Sequence, residues 1–516
     1  MRFSYLYKTS FARPLSYTRS AALLPLRVLS YLYKSSFARP LSYTCWIGSV
    51  LPSRFSLPGR GGRFETFHHF YERDQKSTFH VLDCVSLYPA MSCEQYPVGE
   101  YEIETNLEKL RKIKFDHASK HHYYSGKKVI GIGHVLLLTP FDLEFPLFGI
   151  KTKEGYNYGN CTACIKNRSA KKCKHGVTKR AILVTACWNE LNYAVSIGYK
   201  IEHIYEAYLY SKEEPIFQKF IQLLSREKIR FTNWNGNIQD YLNDVNKKMN
   251  FPPSLQLTPS ELTPNKIKRS YAKQDLVMIF GKLSQQNMRT KPIVIQSQRE
   301  LQNVDLNAID DVFSLEKACI LIARNESKHS RHNRKANSIL YAYVLAYSRI
   351  YMHKIMRNLL QNSAQIFQIS NDCLYFTLPH NTQLNCVINM GSAFGDFRDE
   401  YPEFSVSSFV SFGTKSCAIL LKNNTTGEMK QIVKARGFTL SNITSQKLIN
   451  QIDFKSFFME SMENNSKTLK IPQIRQRKKI ETLHVEFVLL LFQFSNTVKN
   501  SRVIFSDGRT VPFGYV

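Results

Sequence analysis

Phe79-His80-Val81-Leu82-Asp83-Cys84-Val85-Ser86-Leu87-Tyr88-Pro89-Ala90 is the stretch on which the reading of this chain turns. Val81 and Leu82 read as a buried strand with Asp83 as its last residue, and Pro89 bars its extension. A carboxylate at a strand end must leave the core, so packing gives it little reason to be there. Holding a metal gives a good one, because hard Mg²⁺ takes one or two carboxylates together with phosphate oxygens. Starting a turn is the other reason. The stretch alone leaves both open.

Working outward, 516 residues at 43% hydrophobic content suffice for several subdomains and a sizeable core. The net charge of +29 exceeds what solubility needs and points to a polyanionic partner, with phosphate neutralisation supplying affinity. Aromatic residues at 13% suit base stacking as well as core filling. Eleven Cys without regular spacing argue against a disulfide framework and for a reducing, intracellular compartment, nucleus or mitochondrion. No apolar run approaches the roughly 20 residues of a membrane span, so no membrane partner is expected.

The word Asp83-x-x-Ser86-Leu87-Tyr88-Pro89 resembles motif A of family B DNA polymerases. Tyr96-Pro97-Val98-Gly99 narrows the resemblance to the protein-primed branch of linear plasmids, certain phages and self-synthesising DNA transposons. The resemblance implies that Asp83 binds two catalytic Mg²⁺ ions, with Mn²⁺ as a substitute. It implies that Ser86, Leu87 and Tyr88 cradle the incoming dNTP, Tyr88 excluding a 2′-hydroxyl. A DNA template-primer and a terminal protein that primes synthesis are the implied partners.

Along the chain, residues 1–59 are basic, contain no Asp or Glu, and repeat Phe3–Thr18 almost unchanged at Leu29–Thr44. A transit peptide or a duplicated, fused segment fits this composition, and low order is expected. Segment 60–99 opens with Arg60-Gly61-Gly62-Arg63, where paired glycines admit phosphate and arginines neutralise it. By its distance from motif A it matches the family's template-binding segment. The family's proofreading exonuclease needs several carboxylates, so that domain is expected to be absent.

Segment 100–260 resembles the insertion that contacts terminal protein and primer. Within it, Cys161, Cys164, Cys173 and His175 form a candidate zinc set, with reduced loop thiols among lysines as the alternative. Segment 261–284 holds the motif B helix from Lys266 to Phe280, with Asn265 as N-cap and Arg269 and Lys273 on one face to clamp phosphates. Phe280-Gly281-Lys282 resembles the family's aromatic-Gly-Lys ending, which implies that Gly281 leaves room for the nascent base pair, whereas Val277-Met278 replace the family's Asn-Ser. Segment 285–335 matches a second insertion.

Segment 336–430 carries a long helix from Lys335 to Arg357 and a hairpin with Ser370-Asn371-Asp372-Cys373 at its turn. This resembles motif C, with Asp372 kept as metal ligand and Ser370 in place of an Asp, which lowers the site's charge. Lys415-Ser416-Cys417 sits where the family has Lys-x-Tyr, which implies a primer contact for Lys415, with Cys417 in place of the Tyr. Segment 431–516 reads as thumb and terminal strand. The expected fold is α+β: a right-hand polymerase domain with an antiparallel palm sheet, helical fingers and a small thumb. The expected activity is DNA-directed, two-metal nucleotidyl transfer. A decayed polymerase that only binds DNA is the alternative, and a basic RNA-binding protein with a zinc module is a third reading.

Overall fold

The computed structural model describes residues 62–152, 155–234, 237–283, 290–304, 309–315, 318–324, 337–413, 415–434, 452–463, 469–479, 484–494 and 502–515. Segment 1–59, Arg60, Gly61, Lys335 and the Arg436–Leu440 start of the expected thumb lie outside the described residues.

Side-chain alternation builds the centre. In strand Ser77–Cys84, Phe79 and Val81 enter one core while Leu82 and Cys84 enter another, as a pleated strand buried on both faces requires. Five antiparallel strands form this sheet in the order Phe64–Thr66, Gln365–Ser370, Cys373–Pro379, Ser77–Cys84, Phe397–Asp399. One face packs on helix Ser338–Gln361 through Met352, Met356 and Leu359. The other packs on a four-stranded antiparallel sheet, Phe70–Glu72, Phe404–Gly413, Ser416–Asn423 and Met429–Lys434, through Phe409, Ile419 and Leu421. The α+β class and the antiparallel central sheet therefore hold.

Pro89 does not simply end the strand. The chain turns at Ser86 into a short helix, Leu87–Met91, with Pro89 in its first turn, where a backbone N–H has no intrahelical acceptor. Helix Ser338–Gln361 begins on the cap of Asn337, whose side chain accepts from Ile339 and Leu340 N–H, and it runs past Arg357. The basic segment 285–335 contributes, over its described residues, a three-stranded antiparallel sheet. No described helix is long and apolar enough to cross a membrane.

The long helix also joins the first insertion to the centre. Its N-terminal half buries Ile339, Tyr343 and Val344 against Ile132, Cys187 and Tyr208 of a four-stranded sheet built from residues 96–214. The Tyr343 hydroxyl donates to Gly131 O and accepts from Gly131 N, both at 2.8 Å. Midway, Arg349 Nε and Nη2 donate to the two Glu190 carboxylate oxygens at 2.7 and 2.9 Å, and both residues are buried. Removing one partner strands the other charge in a dry interior. Glu190→Ala is expected to lower unfolding free energy by about 3–5 kcal/mol in urea denaturation, most of it regained by a second, apolar replacement of Arg349. A loss under about 1 kcal/mol would mean that the pair does not hold the insertion to the helix.

Candidate functional site

Asp83 continues the Phe79/Val81 face to the rim of the central sheet, where the apolar filling ends. Its neighbours are fixed by strand register: Cys373 stands opposite it on one side and Arg398 on the other. Asp372 lies in the two-residue turn of the hairpin, beside Asn371, which adopts the left-handed φ of 64° that Asn tolerates well. Cys84 N–H donates to Asp372 O at 2.8 Å and locks that turn to the Asp83 strand. The expected hairpin thus carries Asp372 to Asp83.

The structure adds Glu400. Its N–H donates to Val81 O at 3.0 Å, and ligand atoms of Asp83, Cys373 and Glu400 all lie within 4.8 Å of one another. Burial, then the charges of Asp372 and Glu400, push the Asp83 carboxyl up to about 6, with Arg398 and Lys434 pulling the other way. Burial chiefly, with Glu400 adding, raises Asp372 as well. Asp83 and Glu400 stand together at the rim with Asp372 acting on Asp83 from the hairpin turn, an arrangement that favours a cation, although Lys434 already pairs with Glu400. Oxygen donors suit Mg²⁺, whereas the Cys373 thiol, held protonated by burial, does not. Ser370 contributes no charge at the hairpin, and Glu400, just after strand Phe397–Asp399, adds a carboxylate beside Asp83 that Lys434 pairs.

Across the Ser86 turn the sign reverses. Ser86 takes a left-handed φ of 53°, and Lys228 Nζ donates to its hydroxyl at 3.0 Å. Burial, then Arg269, Lys273 and Arg398, push the Lys228 ammonium down to about 8. Arg269 and Lys273 come from helix Lys266–Leu283, capped by Asn265, whose side chain accepts from Ile267 and Lys268 N–H at 3.1 and 3.0 Å. The sequence pattern found two of these four cations. Lys228 sits in a helix, Gln218–Arg230, with no motif around it, and only packing brings it to Ser86.

Tyr88 lies between the two poles. Its ring stacks on Phe280 at 4.3 Å between centroids and 6° between planes, and its hydroxyl donates to Asn371 Oδ1 at 2.6 Å. Gly62 packs behind this bond: a Cβ there would fall 1.6 Å from Asn371 Oδ1. A Cβ at Gly281 would meet nothing within 4 Å, so that face is open, and Val277 and Met278 are exposed.

The Leu87 side chain is in the core, which leaves its backbone at the turn, and one expectation is corrected by burial. Arg63 does not reach solvent: it is buried, paired with Glu65 at 2.6 Å, and stacked 4.4 Å above the Tyr158 ring. Lys415, at a left-handed φ of 58°, lies 4.3 Å above the Phe64 ring. With Phe64, Ser370, Asp372 and Lys434 it lines a cleft of about 300 Å³.

Far along the chain from these motifs, the cysteine set does converge. His175 Nδ1 stands 3.4, 3.4 and 3.6 Å from the Sγ atoms of Cys161, Cys164 and Cys173, and all four atoms lie within 4.8 Å of one another. Cys161 caps helix Thr162–Asn167, its Sγ accepting from Cys164 N–H, so Cys-x-x-Cys forms one turn with both sulfurs on one side. Three soft donors and an imidazole match tetrahedral zinc chemistry.

Comparison with known proteins follows from this geometry. The family model for DNA polymerase type B, organellar and viral, matches residues 59–364. No curated protein matches the chain significantly. Among solved structures, phi29 DNA polymerase complexed with primer-template DNA and incoming nucleotides is similar at 14% identity and TM-score 0.49, over 85% of this chain and 61% of that one. Its post-translocation binary complex gives 14% and 0.48 over the same shares. The family B polymerase of the hyperthermophilic archaeon Pyrobaculum calidifontis gives 10% and 0.28, over 90% of this chain and 44% of that one. The chain thus spans less than two thirds of the phi29 polymerase it matches.

The crowding at Asp83 has a measurable sign. Its carboxyl ionises at about 6 when folded against 3.8 otherwise, so the folded state keeps the proton longer. The metal-free protein therefore loses stability from this group as pH rises between those values, and the loss is complete above 6. Asp83→Asn is expected to raise the Tm of metal-free protein near neutrality by roughly 2 °C, and to leave it unchanged at about pH 4. A variant less stable than the parent at neutral pH would rule out a carboxylate held charged at a cost by burial and neighbouring acids.

Proposed function

Because the chain belongs to the type B DNA polymerases of the organellar and viral kind, we propose that it extends a DNA primer by template-directed nucleotidyl transfer. The primer 3′-hydroxyl attacks the α-phosphate of a dNTP, and pyrophosphate leaves. One observation carries this reading: carboxylates Asp83, Asp372 and Glu400 gather at the end of strand Ser77–Cys84, and the Ser86 turn that follows it meets Lys228, itself beside Arg269 and Lys273. A polyphosphate lying between them has its metal-binding and its leaving end served by opposite charges.

Asp83 and Asp372 would hold Mg²⁺, with Glu400 adding charge. When bound, the ion lowers the pKa of the attacking hydroxyl and neutralises phosphate oxygens. The chain's own residues do the rest. Lys228, Arg269 and Lys273 bind the β- and γ-phosphates and steady the departing pyrophosphate. Tyr88, braced by Phe280 and Asn371, presents a flat, rigid wall to the sugar and excludes a 2′-hydroxyl. Lys415, beside Asp372, suits the primer strand. For the cysteine set we read Zn²⁺, and for segment 100–260 the docking of a terminal protein. The free thiols among the described residues support a reducing compartment, nucleus or mitochondrion.

Primer extension with Mg²⁺ and with Mn²⁺ tests the reading. The Asp83→Ala, Asp372→Ala double variant is expected to lose extension by roughly 1,000-fold or more in both metals. Extension that survives in the double variant would overturn the assignment of the site. DNA binding without extension by the parent protein in either metal would establish a DNA-binding relic instead. Lys228→Ala is expected to raise the dNTP KM roughly tenfold. In the parent, kcat/KM should fall above about pH 8 as Lys228 loses its proton, and the variant should lack that fall. An unchanged profile in the variant would remove Lys228 from phosphate binding.

A further inference from the structure

Segment 502–515 threads through the cysteine cluster. Cys173 N–H donates to Gly514 O at 2.9 Å, and Gly514 N–H donates to Ser169 O at 3.0 Å. These bonds seat Gly514 inside the loop that separates Cys164 from Cys173. Phe513 is buried with the three cysteines and bridges to Gly159. Gly514 has φ +80°, and a Cβ there would fall 2.6 Å from Cys164 Sγ and 3.3 Å from Cys173 Cβ. No other residue fits that channel without moving a sulfur.

The same segment grips the central sheet at its other end. Buried Arg502 pairs with Glu65, and its Nε donates to Thr510 Oγ1 at 2.7 Å. Thr510 N–H donates to Phe67 O at 2.8 Å, and its hydroxyl donates to Thr66 O at 2.9 Å. Strand Phe64–Thr66 in turn pairs with Ser370, Ile369 and Gln368 of the hairpin that carries Asp372, and Asn371 N–H donates to Arg63 O at 2.7 Å. A continuous chain of contacts therefore runs from the cysteine cluster to the Asp372 turn.

We propose that a zinc ion at Cys161, Cys164, Cys173 and His175 is a latch that fastens segment 502–515 to the first insertion, so that metal binding sets how firmly strand Phe64–Thr66 is strapped. The proposal rests on the zinc reading of the cluster and is independent of the reaction. The cluster's helices, Thr162–Asn167 and Val177–Arg180, are six and four residues long. Elements that short do not hold a loop by themselves, and structural zinc supplies folding free energy directly. Thiolate and imidazole ligands on both flanks of the Gly514 channel fix its width when the metal is bound. Metal loss frees the flanks, and Gly514 loses both backbone partners.

Two measurements on the full-length protein separate the latch from the metal. Metal analysis of the purified chain is expected to find one zinc per chain, and Cys161→Ser with Cys164→Ser to lose it. Cobalt substitution should give the absorption of a tetrahedral thiolate site. If no zinc or cobalt binds, the zinc reading fails and the latch with it. Hydrogen exchange is then compared between zinc-loaded and chelated protein. Amides of 502–515 and of Phe64–Thr66 should exchange at least tenfold faster without zinc, while helix Ser338–Gln361 is unchanged. Thr510→Val, which removes the hydroxyl that bonds Thr66 O without touching the cysteines, should retain zinc and speed exchange of Phe64–Thr66 even in loaded protein. Zinc bound at one per chain, with exchange of 502–515 equal in loaded and chelated protein, would overturn the latch and leave the zinc site standing.

Discussion

The pairing of strand Ser77–Cys84 between Cys373–Pro379 and Phe397–Asp399 is the constraint from which the rest follows. Because side chains alternate, one register sends Leu82 and Cys84 to the helix side and Phe79 and Val81 to the sheet side. Asp83 then has one position available, at the rim. A one-residue slip would bury its carboxylate in place of Leu82 and expose a leucine. Two separate cores thus enforce the placement of one acid. The same pairing brings Arg398 beside Asp83 and leaves Glu400, the residue after that strand, within reach of it.

Around that acid the molecule keeps charge unbalanced in both directions. The carboxylates raise one another, and the cations around Ser86 depress Lys228. Burial adds to both effects, each opposes folding, and Arg398 and Lys434 relieve the acidic side only in part. Lys434 bonds to Glu400 and to the Tyr375 hydroxyl, so it tempers the acidic side without filling it. A site that carries charge of both signs close together is preorganised for a ligand that is itself dipolar. Glu400, one residue beyond strand Phe397–Asp399, adds a carboxylate that the hairpin itself does not carry at Ser370.

Rigidity reaches this site along two routes. The first is helix Ser338–Gln361, which carries one core on each half and the buried Arg349–Glu190 pair between them. The second is segment 502–515, bonded to Thr66 and Phe67 at one end and to the cysteine loop at the other. Arg63 belongs to this second route: paired with Glu65, which also bonds Arg502, it serves as an internal brace behind the hairpin.

What the sequence determined by itself was local. The strand into Asp83, the hairpin turn at Asn371-Asp372, the cap at Asn265 and the Cys-x-x-Cys turn each depend on residues a few positions apart. Short-range sterics and hydrogen bonding decide such features, so they are legible without a partner. Tyr88 was legible too, though not the Phe280 ring beneath it. What only the tertiary structure decided depends on which strands lie side by side. Glu400, Lys228 and Arg398 join the site through packing between elements remote in sequence, and no spacing rule encodes that. Burial decided the fates of Leu87 and Arg63, since neither a leucine in a turn nor an arginine beside a glycine declares which way it faces. The closing Cys173 and His175 were visible as residue types, but their meeting with Cys161, Cys164 and Gly514 required the loop to fold back on a segment over three hundred residues away.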